Sequence, residues 1–350
     1  MPDLRGGRFV DLTAQMPNLR RAAYQQTSAP LVTRNLVVLG SAIADNYYAE
    51  NPSGVIRAFD VHTGAIVWKF DAGKPDATEP LQPGALYEQL GGGLDAVFGR
   101  RGSGARLRAV RQPGARSGRR VPVEGGRGPR RRLAALDLET GKLRWAFRTT
   151  YHDLWDRDNP SQPVLLTLPQ GDGTLPAILI PTKVGNVWVL DRRTGAPIRP
   201  VSEVSVSTRT DIPGEAPSPV QPVSSLRFTP APLREADMWG ITPFDQIQCR
   251  LAFRSNRYDG NPFTPPQASG GAIIWPGNIG VFNWGSVAVD PVHHWMIATP
   301  QYLPYLYRLL PRPANEPDRR LITTDPDSAP GNENLGGPYA VSIAHMRSAL

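Results

Sequence analysis

Short apolar runs, each broken by a cluster of Gly, Pro, Asp or Asn, recur along the chain, and three of them share one layout. Gly54–Trp68, Leu133–Trp145 and Gly185–Gly195 each hold an apolar strand ending in an Asp (Asp60, Asp137, Asp191). Two variable residues, a Thr-Gly pair and, after it, a second strand follow in each case. This pattern predicts a β-hairpin with a stereotyped corner. Asp and Thr side chains hydrogen-bond nearby backbone amides, and glycine accepts positive φ at little cost. Trp68 and Trp145 each follow their corner glycine by four residues, which predicts one packing role for both rings on a neighbouring sheet. Further strands are expected at Leu36–Leu39, Ala177–Ile180, Gly271–Trp275 and Ser286–Asp290. A repeated sheet unit at irregular spacing predicts an all-β propeller with variable insertions, the alternative being a sandwich with similar hairpins.

Composition fits many tight turns, since Pro and Gly make up about a fifth of the residues without a collagen period. Cys249 is the only cysteine, which excludes an intrachain disulfide and a cysteine zinc site. No run approaches the ~20 apolar residues of a membrane span, and the first residues lack the apolar stretch of a signal peptide. The net charge of +8 invites a nucleic-acid reading until its distribution is examined. Leu90–Leu133 carries twelve Arg, no Lys and two acids, so this stretch is +10 and the remainder −2. Nucleic-acid surfaces mix Lys with Arg and interleave stacking aromatics, whereas Phe98 is the sole aromatic here. No nucleic-acid partner is expected.

The blade layout, Ala-x-Asp-x-x-Thr-Gly-x-x-x-Trp, resembles that of the quinoprotein dehydrogenases, which bind pyrroloquinoline quinone. Other strings narrow the resemblance to membrane-bound quinoprotein glucose dehydrogenases. They include Gln26–Pro30, Ser53–Asp60, His152–Asp156, Asp237–Gly240, Phe244–Gln246, Arg257–Tyr258 and Pro276–Gly285. The resemblance implies an eight-bladed propeller with the quinone and a calcium or magnesium ion on its axis. It also implies oxidation of the anomeric hydroxyl of aldoses to lactones, with ubiquinone as electron acceptor. A membrane domain outside this chain would hold the propeller on the periplasmic face of the bacterial inner membrane.

Asp156 stands where the family has its catalytic aspartate, and a carboxylate there takes the sugar hydroxyl proton as hydride leaves. The alternative is that Asp153, Asp156 and Asp158 are loop acids capping turns. Lys183 corresponds to the family lysine that reaches the quinone oxygens, where a fixed ammonium stabilises developing negative charge. Its alternative is a solvated lysine before a strand. Asp45 and Asn46 match the family pair assigned to the metal, hard oxygen donors suited to calcium or magnesium, although Asp-Asn is also a common turn pair. Thr27 and Ser28 are expected to help hold the quinone carboxylates, or else to cap a turn before Pro30. His152 is read as a residue that supports the site's ligands or packs, rather than as a ligand itself, and His293 and His294 as a solvated turn pair.

Leu90–Leu133 departs from the family pattern. After Tyr87-Glu88-Gln89 relatives carry an Asn-Ser-x-x-x-Trp string whose Trp walls the quinone pocket, and here the arginine-rich stretch begins instead. Arg, Gly, Ala and Pro are what GC-rich DNA yields when read out of register. Suitable codons for the start of the stretch, read one register over, give a blade-like peptide with that Trp. A pair of compensating frameshifts is therefore expected there, against a genuine disordered basic insertion. Relatives also extend beyond both ends of residues 1–350. The expectation is a partial propeller domain with an aberrant segment at 90–133, inactive in isolation. Competing readings are a quinoprotein alcohol dehydrogenase and a cofactor-free propeller scaffold.

Overall fold

In the computed structural model the described residues are 10–16, 24–25, 29–40, 42–43, 54–71, 74–87, 96–99, 105–109, 132–321 and 333–346. Of the first six strands, β1 (Tyr24–Gln25) pairs with β4 (Ala42–Ile43). The other four, β2 (Leu31–Val32), β3 (Leu36–Leu39), β5 (Ile56–Asp60) and β6 (Ile66–Phe70), form one antiparallel meander in that order. A second four-stranded meander follows, of β7 (Ala96–Gly99), β8 (Ala105–Ala109), β9 (Arg132–Asp137) and β10 (Leu143–Arg148). Strands β7 and β8 lie within the arginine-rich stretch, most of which is outside the described residues. A third sheet joins β11 (Val164–Gln170), β12 (Gly173–Pro181) and β13 (Val187–Asp191), and a hairpin joins β14 (Val201–Ser205) to β15 (Val220–Ser224).

The remaining strands are β16 (Gly271–Ile274), β17 (Ala288–Asp290), β18 (Trp295–Ile297), β19 (Tyr305–Pro311) and β20 (Tyr339–His345). They make a β16–β19–β20 sheet and a β17–β18 hairpin. Between β15 and β16 lies α1 (Pro243–Ser255), a helix within an otherwise β architecture that the strand pattern did not foretell. Its start is encoded locally: Thr242 Oγ1 accepts from Asp245 N, Asp245 Oδ2 accepts from Thr242 N, and Pro243 opens the first turn.

Sheets stack face to face because alternate residues of a strand point to opposite faces. On β9, Ala134 and Leu136 pack with Val38, Ile56, Ala58, Trp68 and Phe70 of the first meander. Leu133 and Ala135, of opposite parity, pack with Ile178, Ile180, Trp188 and Leu190 of the third sheet. Strand β12 repeats the arrangement, Ala177 and Leu179 facing Val281, Phe282 and Val287. A strand apolar on both faces is thus a middle layer, as propeller blades require.

The corners form as the repeat predicts. Asp60 Oδ1 accepts from Thr63 N at 2.7 Å and Thr63 Oγ1 at 2.9 Å. Asp137 Oδ1 does the same with Thr140, at 3.0 and 2.9 Å. Asp191 instead takes Arg193 N at 2.8 Å and pairs with the Arg193 side chain. Gly141 and Gly195 adopt φ of +70° and +75°, and each carries the tryptophan of the preceding sheet. Trp68 Nε1 donates to Leu138 O at 2.8 Å, and a Cβ at Gly141 would fall 2.5 Å from Trp68 Cε3. Trp145 Nε1 donates to Arg192 O at 3.1 Å, and a Cβ at Gly195 would fall 2.6 Å from Trp145 Cε3. Each ring therefore locks one blade onto the corner of the next.

Candidate active site

Loop 153–158, between β10 and β11, is organised by residue parity. Asp153 turns back on its own loop, its carboxylate accepting from Trp155 N at 2.7 Å and Arg157 N at 2.5 Å. Trp155 Nε1 donates to Thr264 O at 2.6 Å. Arg157 is fully buried, and its guanidinium donates to Gly277 O, Pro262 O and Pro276 O at 2.8, 2.9 and 2.6 Å. Burial pushes the Arg157 pKa down from its ordinary value, while the charges of Tyr307, Asp153 and Asp156 oppose that shift. Residues 153, 155 and 157 thus anchor the loop, whereas 156 and 158 point elsewhere.

Both of those carboxylates meet Lys183. Its Nζ donates to Asp156 Oδ2 at 3.1 Å and makes an ion pair with Asp158 Oδ1 at 2.5 Å. The three side chains are only 10, 4 and 7% exposed for Asp156, Asp158 and Lys183. Asp156 holds φ at +64°, an uncommon conformation for a residue with a Cβ, kept in place by the anchors on either side.

Lys183 sits in the tight link between β12 and β13. Thr182 N donates to Asn186 O and Gly185 N to Thr182 O, at 3.0 and 2.9 Å. Loop 276–285 closes over it: Val281 N donates to Lys183 O at 2.8 Å, and a Cβ at Gly280 would lie 2.6 Å from Lys183 Cα, Cβ and Cγ. Only glycine allows that approach. Because Arg157 binds the same loop at Pro276 and Gly277, lysine and carboxylates are held by one clamp. Two more buried atoms lie just downstream, Asn159 Oδ1 and Ser161 Oγ, without a hydrogen-bond partner among the described residues.

Of the sequence-derived candidates, Asp156 and Lys183 are therefore brought together. Asp153 is the turn-capping acid of the alternative reading, while Asp156 and Asp158 both face the lysine. Lys183 is buried rather than solvated. Thr27, Ser28, Asp45 and Asn46 lie outside the described residues. Among the described residues no group of three or more His, Cys, Asp or Glu is placed to hold a metal ion. His152 pairs with Glu215 at 2.6 Å, and His293 pairs with Asp290 in the β17–β18 turn. Sequence reasoning missed Arg157 and the Gly280 clamp. Arginine is rarely fully buried, and nothing local marks this one as an exception.

Residues 5–94 and 130–350 match the glucose/ethanol/alcohol dehydrogenase β-propeller domain. The chain belongs to this family. Residues 52–199 also match outer membrane protein assembly factor BamB. The quinoprotein glucose dehydrogenase of Gluconobacter oxydans is 40% identical over 95% of this chain, and that of Escherichia coli 36% over 95%. A quinate/shikimate dehydrogenase (quinone) of Acinetobacter baylyi is 38% identical over 95%. The chain covers 42% of each of these relatives, about two fifths of their length. Among solved structures, a europium-containing methanol dehydrogenase superposes with TM-score 0.55 at 17% identity, over 91% of this chain and 49% of that one. The quinohemoprotein alcohol dehydrogenase of Comamonas testosteroni gives 0.54 at 20%, over 91% and 42%. These structures share the fold. No helix among the described residues is long and apolar enough to cross a membrane.

Proposed function

We propose that this chain is propeller sequence of a quinoprotein dehydrogenase that oxidises the anomeric hydroxyl of an aldose, glucose to gluconolactone, and passes electrons to ubiquinone. The observation that carries the reading is the buried Lys183 ammonium held by Asp156 and Asp158. Asp156 and Lys183 stand where the family resemblance puts the base and the quinone-holding lysine. The ammonium suits the oxygens of an anionic quinone, and the buried Ser161 hydroxyl, without a partner among the described residues, is a donor of a kind normally met by ligand or water. A cofactor-free scaffold, the reading that the BamB match favours, has no use for such a cluster.

When bound, pyrroloquinoline quinone supplies the two-electron oxidant. Asp156 accepts the proton of the substrate hydroxyl, and Lys183 offers a fixed positive charge where negative charge develops. Burial lowers the local dielectric and strengthens both effects. Thr27 and Ser28 would hold the quinone carboxylates, and Asp45 and Asn46 a calcium or magnesium ion. The same reading places the protein on the periplasmic face of the inner membrane through a domain outside this chain, and makes the described sheets part of an eight-bladed ring. It takes 90–133 as a frameshifted blade, in keeping with the break in the family match between residues 94 and 130.

A second reading follows from identity: the quinate/shikimate dehydrogenase at 38% and a glycerol dehydrogenase large subunit at 35% stand beside the glucose enzymes, so the substrate is alternatively a polyol or cyclic alcohol. The test is dye reduction by the whole protein to which this propeller sequence belongs, reconstituted with the quinone and calcium or magnesium and offered glucose, quinate or glycerol; residues 1–350 alone are expected to stay inactive. Quinone-dependent turnover with glucose ahead is expected, and Asp156→Asn should lower kcat roughly a hundred- to ten-thousand-fold. Quinate or glycerol ahead selects the second reading. No quinone-dependent turnover with any of the three overturns both.

A further inference from the structure

Lys183 is shared unequally. Its Nζ is 2.5 Å from Asp158 Oδ1 and 3.1 Å from Asp156 Oδ2, and the Asp158 side chain is the more buried of the two. The geometry points to Asp158 as a positioning residue, which holds the Lys183 ammonium in place so that Asp156 can change its protonation state without releasing the lysine. The inference rests on the proposed function for its purpose, but its physical content does not.

The argument is one of charge and distance. With one ammonium between two carboxylates, a proton arriving on Asp156 would remove the lysine's partner if Asp156 were its only anchor. A buried ammonium without a counter-charge is strongly destabilised. Asp158 prevents this: protonated Asp156 leaves a matched Lys183–Asp158 pair. Arg157, whose guanidinium is spent on the carbonyls of Pro262, Pro276 and Gly277, fixes the backbone between the two acids. Asp156 and Asp158 are therefore held at a fixed spacing on one anchored loop. The substrate hydroxyl proton would pass to Asp156, the bound quinone would supply the two-electron oxidant, and Asp158 takes no part in the transfer.

The test needs no turnover. The chain has four lysines, at 69, 74, 142 and 183. Acetylation of the folded protein, read by peptide mass spectrometry, therefore resolves Lys183 individually. Lys142 is exposed and serves as the fast reference; Lys69, buried with Nζ donating to Ala77 O at 2.6 Å, reports global unfolding. Asp158→Asn should raise the Lys183 labelling rate about tenfold, Asp156→Asn less than about threefold, and Asp158→Glu should return it towards wild type. Equal effects of the two Asn variants, or a larger one from Asp156→Asn, overturn the proposal. So does release of Lys69 together with Lys183 in Asp158→Asn, which would make Asp158 a residue of the fold. In the quinone-loaded enzyme, Asp158→Asn should lower kcat about tenfold and leave the sugar KM unchanged, the signature of a lost transition-state interaction. A whole protein without turnover but with the expected labelling order retains the inference and rejects the proposed function.

Discussion

Gly141→Ala is the most direct challenge to the blade lock. The substitution adds one methyl group at a corner where φ is +70° and where that methyl would sit 2.5 Å from Trp68 Cε3 and 2.7 Å from Cδ2. The backbone part of the cost, an alanine in the left-handed region, is about 1 kcal/mol. The steric part is larger, because Trp68 is buried among Leu36, Ile56, Phe70 and Leu136 and has no room to retreat. Overpacking of that kind costs about 1–3 kcal/mol, and displacing the ring also strains the Trp68 Nε1 hydrogen bond to Leu138 O, worth about 1 kcal/mol. Gly141→Ala should therefore destabilise the protein by about 3–5 kcal/mol. Gly214→Ala is the control: its φ is +75°, yet nothing lies within 4 Å of its would-be Cβ, so only the backbone cost of about 1 kcal/mol applies. Urea unfolding followed by tryptophan fluorescence measures both. A Gly141→Ala midpoint no lower than that of Gly214→Ala would refute the lock. Trimming the ring in Trp68→Leu should make the added methyl less costly, with a coupling of at least about 1 kcal/mol in the double-mutant cycle.

Arg157→Met should cost about 3 kcal/mol or more, since it strands the buried carbonyls of Pro262, Pro276 and Gly277, and should free loop 153–158 to proteolysis or hydrogen exchange. Stability should also fall in acid through the corner aspartates. Asp60 is held below its ordinary value by the Thr63 backbone amide and hydroxyl, and Asp191 by the Arg193 side chain. At Asp137 desolvation opposes the shift but the hydrogen bonds of Arg144 and Thr140 outweigh it. Depressed carboxylates stabilise the fold above the unfolded-state value near 3.9 and lose that contribution as pH falls through their folded values. The urea midpoint should thus drop below about pH 4, and the Asp60→Asn/Asp137→Asn/Asp191→Asn variant should show a shallower drop. Finally, the coding DNA of 90–133, read in a neighbouring frame, is expected to give strand-forming sequence with a tryptophan; its absence from both other frames removes the frameshift.

By itself the sequence determined what depends on a few neighbouring residues. The corners at Asp60, Asp137 and Asp191 were legible because the carboxylate, the Thr and the Gly that make each turn lie within five residues of one another. The strands at β9 and β12 were legible for the same reason, as was the equal spacing of Trp68 and Trp145 from their glycines. The tertiary structure decided where those rings dock, each on the corner of the following sheet, 70 and 47 residues away. It also decided the site. Asp158 reads locally as one of three loop acids and becomes a lysine partner only because the β12–β13 link is folded against loop 153–158. Arg157 reads as a surface residue and is buried because carbonyls about 105–120 residues downstream meet its guanidinium. Helix α1 shows the same division. Its Thr242–Asp245 cap is local, whereas Asp245 and Cys249 face inwards and Phe244, Ile247 and Leu251 outwards, against the usual order of burial. Turns are set by bonds between near neighbours, but the burial of a charge is set by which distant backbone comes to meet it.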